Sequence, residues 1–215
     1  AVLCGTAMPA LAQAPAEERL AFDAAARSWE DGDFQRVRRE FGEFVARFPA
    51  STLRKQAEER VALAAAELAL STNSISAARS LFQAFLRDHA GSALAPNAAV
   101  GYAATSLRAG EPRAAIAELQ SETSPFARVW KTGEARELRL RGMLVLAEAQ
   151  LAVGDFAGVE ASLERGRPLA AQPVDGWRRL FLLVEGRRKA GAIRQALDAA
   201  RELRGLTTNE VLAAR

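Results

Sequence analysis

Residues 22–49 read FDAAARSWEDGDFQRVRREFGEFVARFP, and this stretch decides the fold. Before Gly32, the apolar residues Phe22, Ala25 and Trp29 recur at the spacing of an α-helix. Asp33 follows the glycine and belongs to a residue type that caps the start of helices. A second apolar stripe then recurs at helical intervals, with Phe34, Val37, Phe41, Phe44 and Phe48. The stretch therefore predicts two amphipathic helices joined by a tight turn.

The same turn recurs along the chain at intervals of about 40 residues. Its five copies are Gly32-Asp33-Phe34, Asn73-Ser74-Ile75, Gly110-Glu111-Pro112, Gly154-Asp155-Phe156 and Gly191-Ala192-Ile193. Small residues stand where paired helices would approach closely, namely Ala25, Ala66, Ala103 and Ala147. A helix pair of this kind cannot bury its apolar face alone. We therefore predict an all-α fold of about five antiparallel helix hairpins that stack on one another.

Composition and charge fit a helical protein whose surface is solvated. The 215 residues are 49% hydrophobic and 26% charged, and the net charge is only +3. Arginine supplies most of the positive charge, but acidic residues are interspersed with it almost everywhere. Such mixing is typical of solvated helix faces rather than of a nucleic-acid interface, so we expect no nucleic-acid partner.

The first residues differ from the rest of the chain. Residues 1–8 are uncharged and apolar, and Pro9 interrupts them. We interpret residues 1–14 as the remnant of a secretory signal peptide, with small residues that fit cleavage after Ala12. The alternative is an apolar first helix of the fold, against which Pro9 and Pro15 argue because proline interrupts helices.

The repeat domain is then expected to cover residues 15–215, and the chain can continue beyond them. Cys4 is the single cysteine, so no disulfide can form within the chain. A lipid-attachment cysteine is one interpretation of Cys4, although Leu3 is larger than the small residue such sites prefer. No later stretch is long and apolar enough to predict a transmembrane segment in the mature chain.

Two turns carry a resemblance to a known family. Gly32-Asp33-Phe34 with Val37, and Gly154-Asp155-Phe156 with Val159, match the pattern of tetratricopeptide-type repeats. Residues 32–51 and 92–98 are also similar to the bacterial envelope branch of these repeats. That branch includes the outer-membrane assembly lipoprotein BamD and the periplasmic Tol–Pal-associated repeat proteins.

The resemblance implies a right-handed α-solenoid of helix hairpins. It also implies a non-catalytic scaffold, periplasmic or associated with the outer membrane, that binds a protein or peptide partner through the repeat surface. In such proteins the first helix of each hairpin usually lines the concave face. The polar residues there are the predicted binding residues: Arg27, Glu30, Glu59, Arg60, Glu67, Asn97 and Tyr102.

Residues 121–133 form the longest stretch without clean helical periodicity. They contain Phe126, Val129 and Trp130. One interpretation is a loop between repeats whose aromatic residues fill the core. The other is a binding loop that exposes Trp130, because loops often carry function. Trp130 is therefore added to the predicted binding residues.

Residues for catalysis or metal binding are sparse. His89 is the single histidine and is predicted near the end of a helix, where a structural role suffices. One histidine and one cysteine cannot build a His/Cys metal cluster within one chain. The sequence contains neither a nucleophile-elbow motif nor a phosphate-binding glycine loop. We therefore expect neither an enzyme nor a cofactor.

Clusters of arginine leave a second function open. They comprise Arg36, Arg38 and Arg39, then Arg136, Arg139 and Arg141, then Arg178, Arg179, Arg187, Arg188 and Lys189. Nearby glutamates make solvated, paired faces one interpretation of these clusters. The alternative is a surface that binds an anionic partner, such as a cell-wall polymer or an anionic membrane surface.

Overall fold

The computed structural model describes residues 15–207, and the regular structure within this range is helical. Its eleven α-helices are α1 (Ala16–Glu30), α2 (Phe34–Arg47), α3 (Arg54–Ser71), α4 (Ile75–Asp88), α5 (Ala95–Arg108), α6 (Pro112–Gln120), α7 (Pro125–Thr132), α8 (Arg136–Val153), α9 (Phe156–Gly166), α10 (Pro173–Lys189) and α11 (Ile193–Thr207). A short 3₁₀ turn at Arg167–Leu169 separates α9 from α10. The predicted all-α class is confirmed for this range. The expectations for residues 1–14, Cys4 included, lie outside the described residues.

The five predicted turns share one backbone geometry. Gly32, Gly110, Gly154 and Gly191 have φ between +70° and +79°, and Asn73 has φ +58°. In each turn, the N–H of the next residue donates to a carbonyl five residues back, as Asp155 does to Gln150 at 2.9 Å. This pairing is the Schellman motif, whose left-handed residue favours glycine and tolerates asparagine. The turn that recurs in the sequence is therefore one structural motif, a Schellman C-cap, formed five times.

The helix after Gly32 is capped by Asp33 as predicted, and the helix after Gly154 is capped by Asp155 in the same way. The Asp33 carboxylate accepts from the backbone N–H of Arg36 at 3.0 Å, and the Asp155 carboxylate accepts from Gly158 N–H at 2.9 Å. Each cap satisfies a backbone donor that the helix itself leaves without a partner.

The chain divides into two compact units at the Leu68–Ala69 boundary. In the first unit, the ring of Phe22 in α1 meets Phe41 and Phe44 of α2 edge-on, with centroid distances of 5.1 and 5.5 Å. Ala25, Val37, Ala57 and Ala64 complete the buried cluster with them. The predicted stripe of α2 therefore does face a core.

The second unit contains α4 to α11, packed mostly between neighbours in the sequence. Its closest helix pairs are α4 with α5, α5 with α6, α8 with α9, and α10 with α11. Two buried clusters lie between them, one around Phe126 and Met143 and one around Leu144 and Leu180. This neighbour-to-neighbour packing is consistent with a helical repeat.

Two phenylalanines of this unit end directly on a glycine of a neighbouring helix. The Phe82 ring of α4 lies on Gly101 of α5, and the Phe126 ring of α7 lies on Gly142 of α8. A Cβ atom at Gly142 would stand 2.5 Å from Phe126 Cε2. Both rings are fully buried. The two glycines are thus needed for close approach, not for an unusual backbone angle.

The predicted loop at residues 121–133 is wrong, because α7 occupies most of it. Ser124 caps this helix by accepting from Phe126 N–H at 3.2 Å, and Gly133 ends it with φ +75°. Eight residues give barely two turns, too few for periodicity to be visible. The expectation that its apolar residues fill the core is confirmed, because Phe126 and Val129 are buried.

Between residues 15 and 207, none of the helices combines the length and the apolar character that a membrane span requires.

Candidate functional site

A cleft of about 750 Å³ opens in the second unit among α6, α7, α8 and α9. Its lining comes from all four helices and from two of their connections: Leu119, Gln120, Ser121, Glu122, Ala127, Trp130, Lys131, Met143, Leu146, Gln150, Asp155, Gly158, Ala161, Ser162 and Arg165. Leu119, Met143 and Leu146 are buried and belong to the core cluster around Phe126. The cleft therefore has an apolar floor that is continuous with the core.

Trp130 forms part of the cleft wall and is held from several sides. Its ring meets Phe126 edge-on at 6.4 Å. The guanidinium of Arg165 lies 4.0 Å from the Trp130 ring centroid, and that of Arg139 lies 5.4 Å from it. Cation–π contact of this kind is favourable and fixes both groups. Trp130 is thus half-buried and packed between these groups, rather than displayed on a loop.

A buried polar pair stands in the same wall. Ser162 of α9 donates to Gln150 Oε1 of α8 at 2.8 Å, and the two side chains are only 6% and 2% exposed. The other end of this carboxamide, Gln150 Nε2, finds no acceptor within residues 15–207. A Cβ at Gly158 would stand 2.6 Å from that nitrogen and nearer still to Asp155 Oδ2, so the Gln150 carboxamide and the Asp155 carboxylate both occupy the room that the bare glycine leaves.

Charged side chains of both signs border the cleft. Lys131 and Arg165 form no ion pair with any residue in the described part of the chain. Of the two carboxylates, Asp155 is engaged as the cap of α9, and Glu122 is exposed in the connection before α7. Neither cation of the lining is therefore neutralised by an ion pair within residues 15–207, although Arg165 stacks on Trp130.

The predicted binding residues of the first unit differ in their exposure and in their contacts. Arg27 and Glu30 are exposed on α1, whereas Glu59 and Glu67 are buried on α3. Arg60 lies over the rings of Phe22 and Phe41, with centroid distances of 5.0 and 5.5 Å. Burial lowers the pKa of its guanidinium from the ordinary value. Arg60 is thus engaged in packing.

The remaining predicted residues lie in the second unit. Asn97 lines a separate depression together with Arg136 and Arg141. The Tyr102 hydroxyl accepts from Gln83 Nε2 at 3.3 Å, and the Arg79 guanidinium lies 5.8 Å from the Tyr102 ring centroid. Of all the predicted residues, Trp130 is the one that lines the cleft.

Sequence reasoning missed Gln150, Ser162, Lys131 and Arg165. One signal was present for Gln150, which interrupts the apolar run of α8 on its buried face. A polar residue at such a position is informative because burial of an amide requires partners.

The arginine clusters are mostly engaged with glutamates. Nitrogen–oxygen distances are 2.6 Å for Arg36–Glu40, 2.6 Å for Arg178–Glu148 and 2.8 Å for Arg188–Glu185, and Arg187 pairs with Glu160. Arg136 donates to the carbonyl of Leu169 at 2.8 Å, and Arg139 to that of Gly133 at 2.7 Å. Most members of these clusters thus fit the first interpretation, in which the arginines pair with glutamates on solvated helix surfaces.

Across residues 15–207, no group of three or more histidine, cysteine or acidic side chains is placed to hold a metal ion. No model of a known protein family matches this chain, and a comparison with curated proteins gives no significant match. Residues 15–207 therefore form an all-helical domain whose helices pack in sequential pairs, with a cleft of mixed polarity among α6 to α9.

Proposed function

We propose that this chain is a non-catalytic scaffold of the tetratricopeptide type, exported to the cell envelope, that binds a protein or peptide partner. The observation that carries the proposal is the cleft among α6 to α9. It has the apolar floor and the few fixed polar groups that recognition sites commonly combine. Its lining joins Trp130 to Arg165, and both residue types are enriched at sites that dominate binding energy.

Two further features support binding rather than catalysis. The described residues of the lining include neither histidine nor cysteine, and Asp155 is committed to capping α9. The five Schellman turns support a repeat protein, because the same helix end recurs along the chain. Stacked repeats form extended surfaces that are used for binding. The pairing of most clustered arginines with glutamates favours this function over an anionic-surface binder.

Photo-crosslinking in the cell envelope tests the proposal. A photoreactive amino acid replaces Ala127 or Ala161 in the cleft, and Ala77 on the exposed side of α4 serves as the control. We expect one partner to be crosslinked from both cleft positions and not from position 77. If all three positions give the same adducts, or the cleft positions give none, the proposal is wrong.

A further inference from the structure

The last hairpin, α10 with α11, exposes an apolar face. Val174, Trp177 and Phe181 of α10 recur at helical spacing and are 48%, 37% and 44% exposed. The rings of Trp177 and Phe181 stack on each other, with centroids 5.4 Å apart and planes inclined by 7°. Large apolar side chains exposed next to one another are typical of an interaction surface. We propose that residues 208–215 of this chain cover the face, with Leu212 packed on Phe181. This proposal goes beyond the proposed function and does not depend on it.

Phe181 is the exception at a position that is buried in the other hairpins. It lies ten residues before Gly191, the left-handed residue of its turn. The residues at the same interval before the other four turns have exposures between 0% and 8%: Phe22, Leu63, Val100 and Leu144. The repeat therefore buries an apolar side chain at the position that Phe181 occupies.

The cover in the other hairpins comes from residues that follow the hairpin in the chain. Leu144 of α8 lies in one buried cluster with Leu180 of α10. In the first unit, Leu53 directly precedes α3 and packs against the cluster that contains Phe22. By the same rule, the residues that follow α11 are the ones that cover Phe181.

The end of α11 lies at the correct end of this face. Leu206 of α11 approaches the start of α10 so closely that a Cβ on Gly176 would stand 3.1 Å from Leu206 Cδ1. Gly176 directly precedes Trp177, and residues 208–215, which lie outside the described range, follow α11 in the chain. Eight helical residues extend about 12 Å, which exceeds the rise of about 6 Å from Trp177 to Phe181 along α10. The segment is therefore long enough to reach both rings.

The segment carries an apolar side chain at the matching position. Leu212 lies 21 residues after Gly191, and Leu53 lies 21 residues after Gly32. Val211 precedes Leu212, so the segment offers two large apolar side chains to the exposed rings. An attached segment is also present at a high effective concentration, which favours it over a second copy of the chain as the occupant.

Fluorescence of Trp177 tests the proposal in a 215-residue chain whose other tryptophans, Trp29 and Trp130, are replaced by phenylalanine. Leu212→Asp should shift the emission to longer wavelength and increase quenching by acrylamide, because a carboxylate is not accommodated against the rings. Asn209→Asp is the matched control, since it adds the same charge to the same segment without removing an apolar side chain. Its emission and quenching should equal those of the parent.

Equal emission and quenching in Leu212→Asp and the parent would overturn the proposal. Analytical ultracentrifugation of the parent identifies the competing occupant. If the parent is a dimer and Trp177 becomes more accessible to acrylamide on dilution, a second copy covers the face and the proposal is wrong.

An engineered disulfide measures the same contact without fluorescence. In a Cys4→Ser background, Phe181→Cys with Leu212→Cys should oxidise to a disulfide within one chain. Asp198→Cys with Leu212→Cys is the control, because Asp198 is exposed and lies only about 14 Å before the end of α11. A segment that does not pack on α10 would reach both positions. Equal crosslinking of both pairs, failure of the first pair to form, or a disulfide only between chains would contradict the proposal.

Discussion

Replacement of Gly101 by alanine tests how tightly the second unit is packed. Gly101 lies inside α5, where the ring of Phe82 from α4 ends on it. A Cβ at this position would stand 2.9 Å from Phe82 Cε2 and nearer still to Cζ and Cε1. Phe82 is itself fully buried, so its ring has no solvent to move into.

Two opposing terms set the size of the effect. Alanine gains about 0.8–1 kcal/mol over glycine in a helix interior. Overpacking of a well-packed core costs about 1–3 kcal/mol and occasionally more. Because three atoms of a confined ring are involved, the cost lies at the upper end. We expect a net loss of about 2 kcal/mol in the free energy of unfolding, which lowers the melting temperature by about 4–8 °C.

Urea unfolding followed by far-ultraviolet circular dichroism measures this loss. Gly42→Ala is the control, because a Cβ there meets nothing within 4 Å and only the propensity gain of about 1 kcal/mol remains. Phe82→Leu combined with Gly101→Ala should recover part of the loss, since the shorter side chain makes room. Equal stability of Gly101→Ala and the parent chain would refute the packing argument.

Three further outcomes are expected. Asp155→Ala should cost about 1 kcal/mol of unfolding free energy in thermal melts, because the cap of α9 is lost, and an unchanged melt would contradict that role. Asn73→Ala should cost about 1 kcal/mol and Asn73→Gly almost nothing, because φ is positive there; equal costs would exclude a left-handed requirement. The hydrogen bond from Ser28 and the ion pair with Arg36 lower the pKa of Glu40 below its ordinary value of 4.5. The stability that the ionised Glu40 contributes is therefore present above pH 4.5 and is lost as the pH falls through the lowered pKa. In Glu40→Gln, the free energy of unfolding should therefore fall less steeply with decreasing pH below 4.5 than in the parent chain.

Local chemistry made the helix boundaries predictable. A glycine or asparagine after an apolar helical run is sufficient to predict a Schellman stop, and all five predicted stops adopt it. The Asp33 cap and the buried stripe of α2 follow from residue type and spacing in the same way. These features depend on neighbours within a few residues, which is the range that a sequence pattern reports.

The cleft was not predictable in this way. Gln150, Arg165 and Lys131 come from three helices, and their convergence depends on packing between residues distant in sequence. Helix α7 was not predicted because eight residues are too few to show a helical period. Its aromatic residues fitted both a loop that fills the core and a binding loop that exposes Trp130. Trp130 was therefore found by its residue type, while its surroundings were not.

The contact of the Phe126 ring with Gly142 has a consequence for the proposed binding of a partner. An eight-residue helix is not stable by itself in water, so α7 keeps its place through tertiary packing, in which a ring occupies the room of a missing methyl group. The same ring supports Trp130. A partner bound in the cleft as proposed would therefore depend on a core contact outside the cleft lining, so a substitution at Gly142 is expected to weaken its binding before it unfolds the chain.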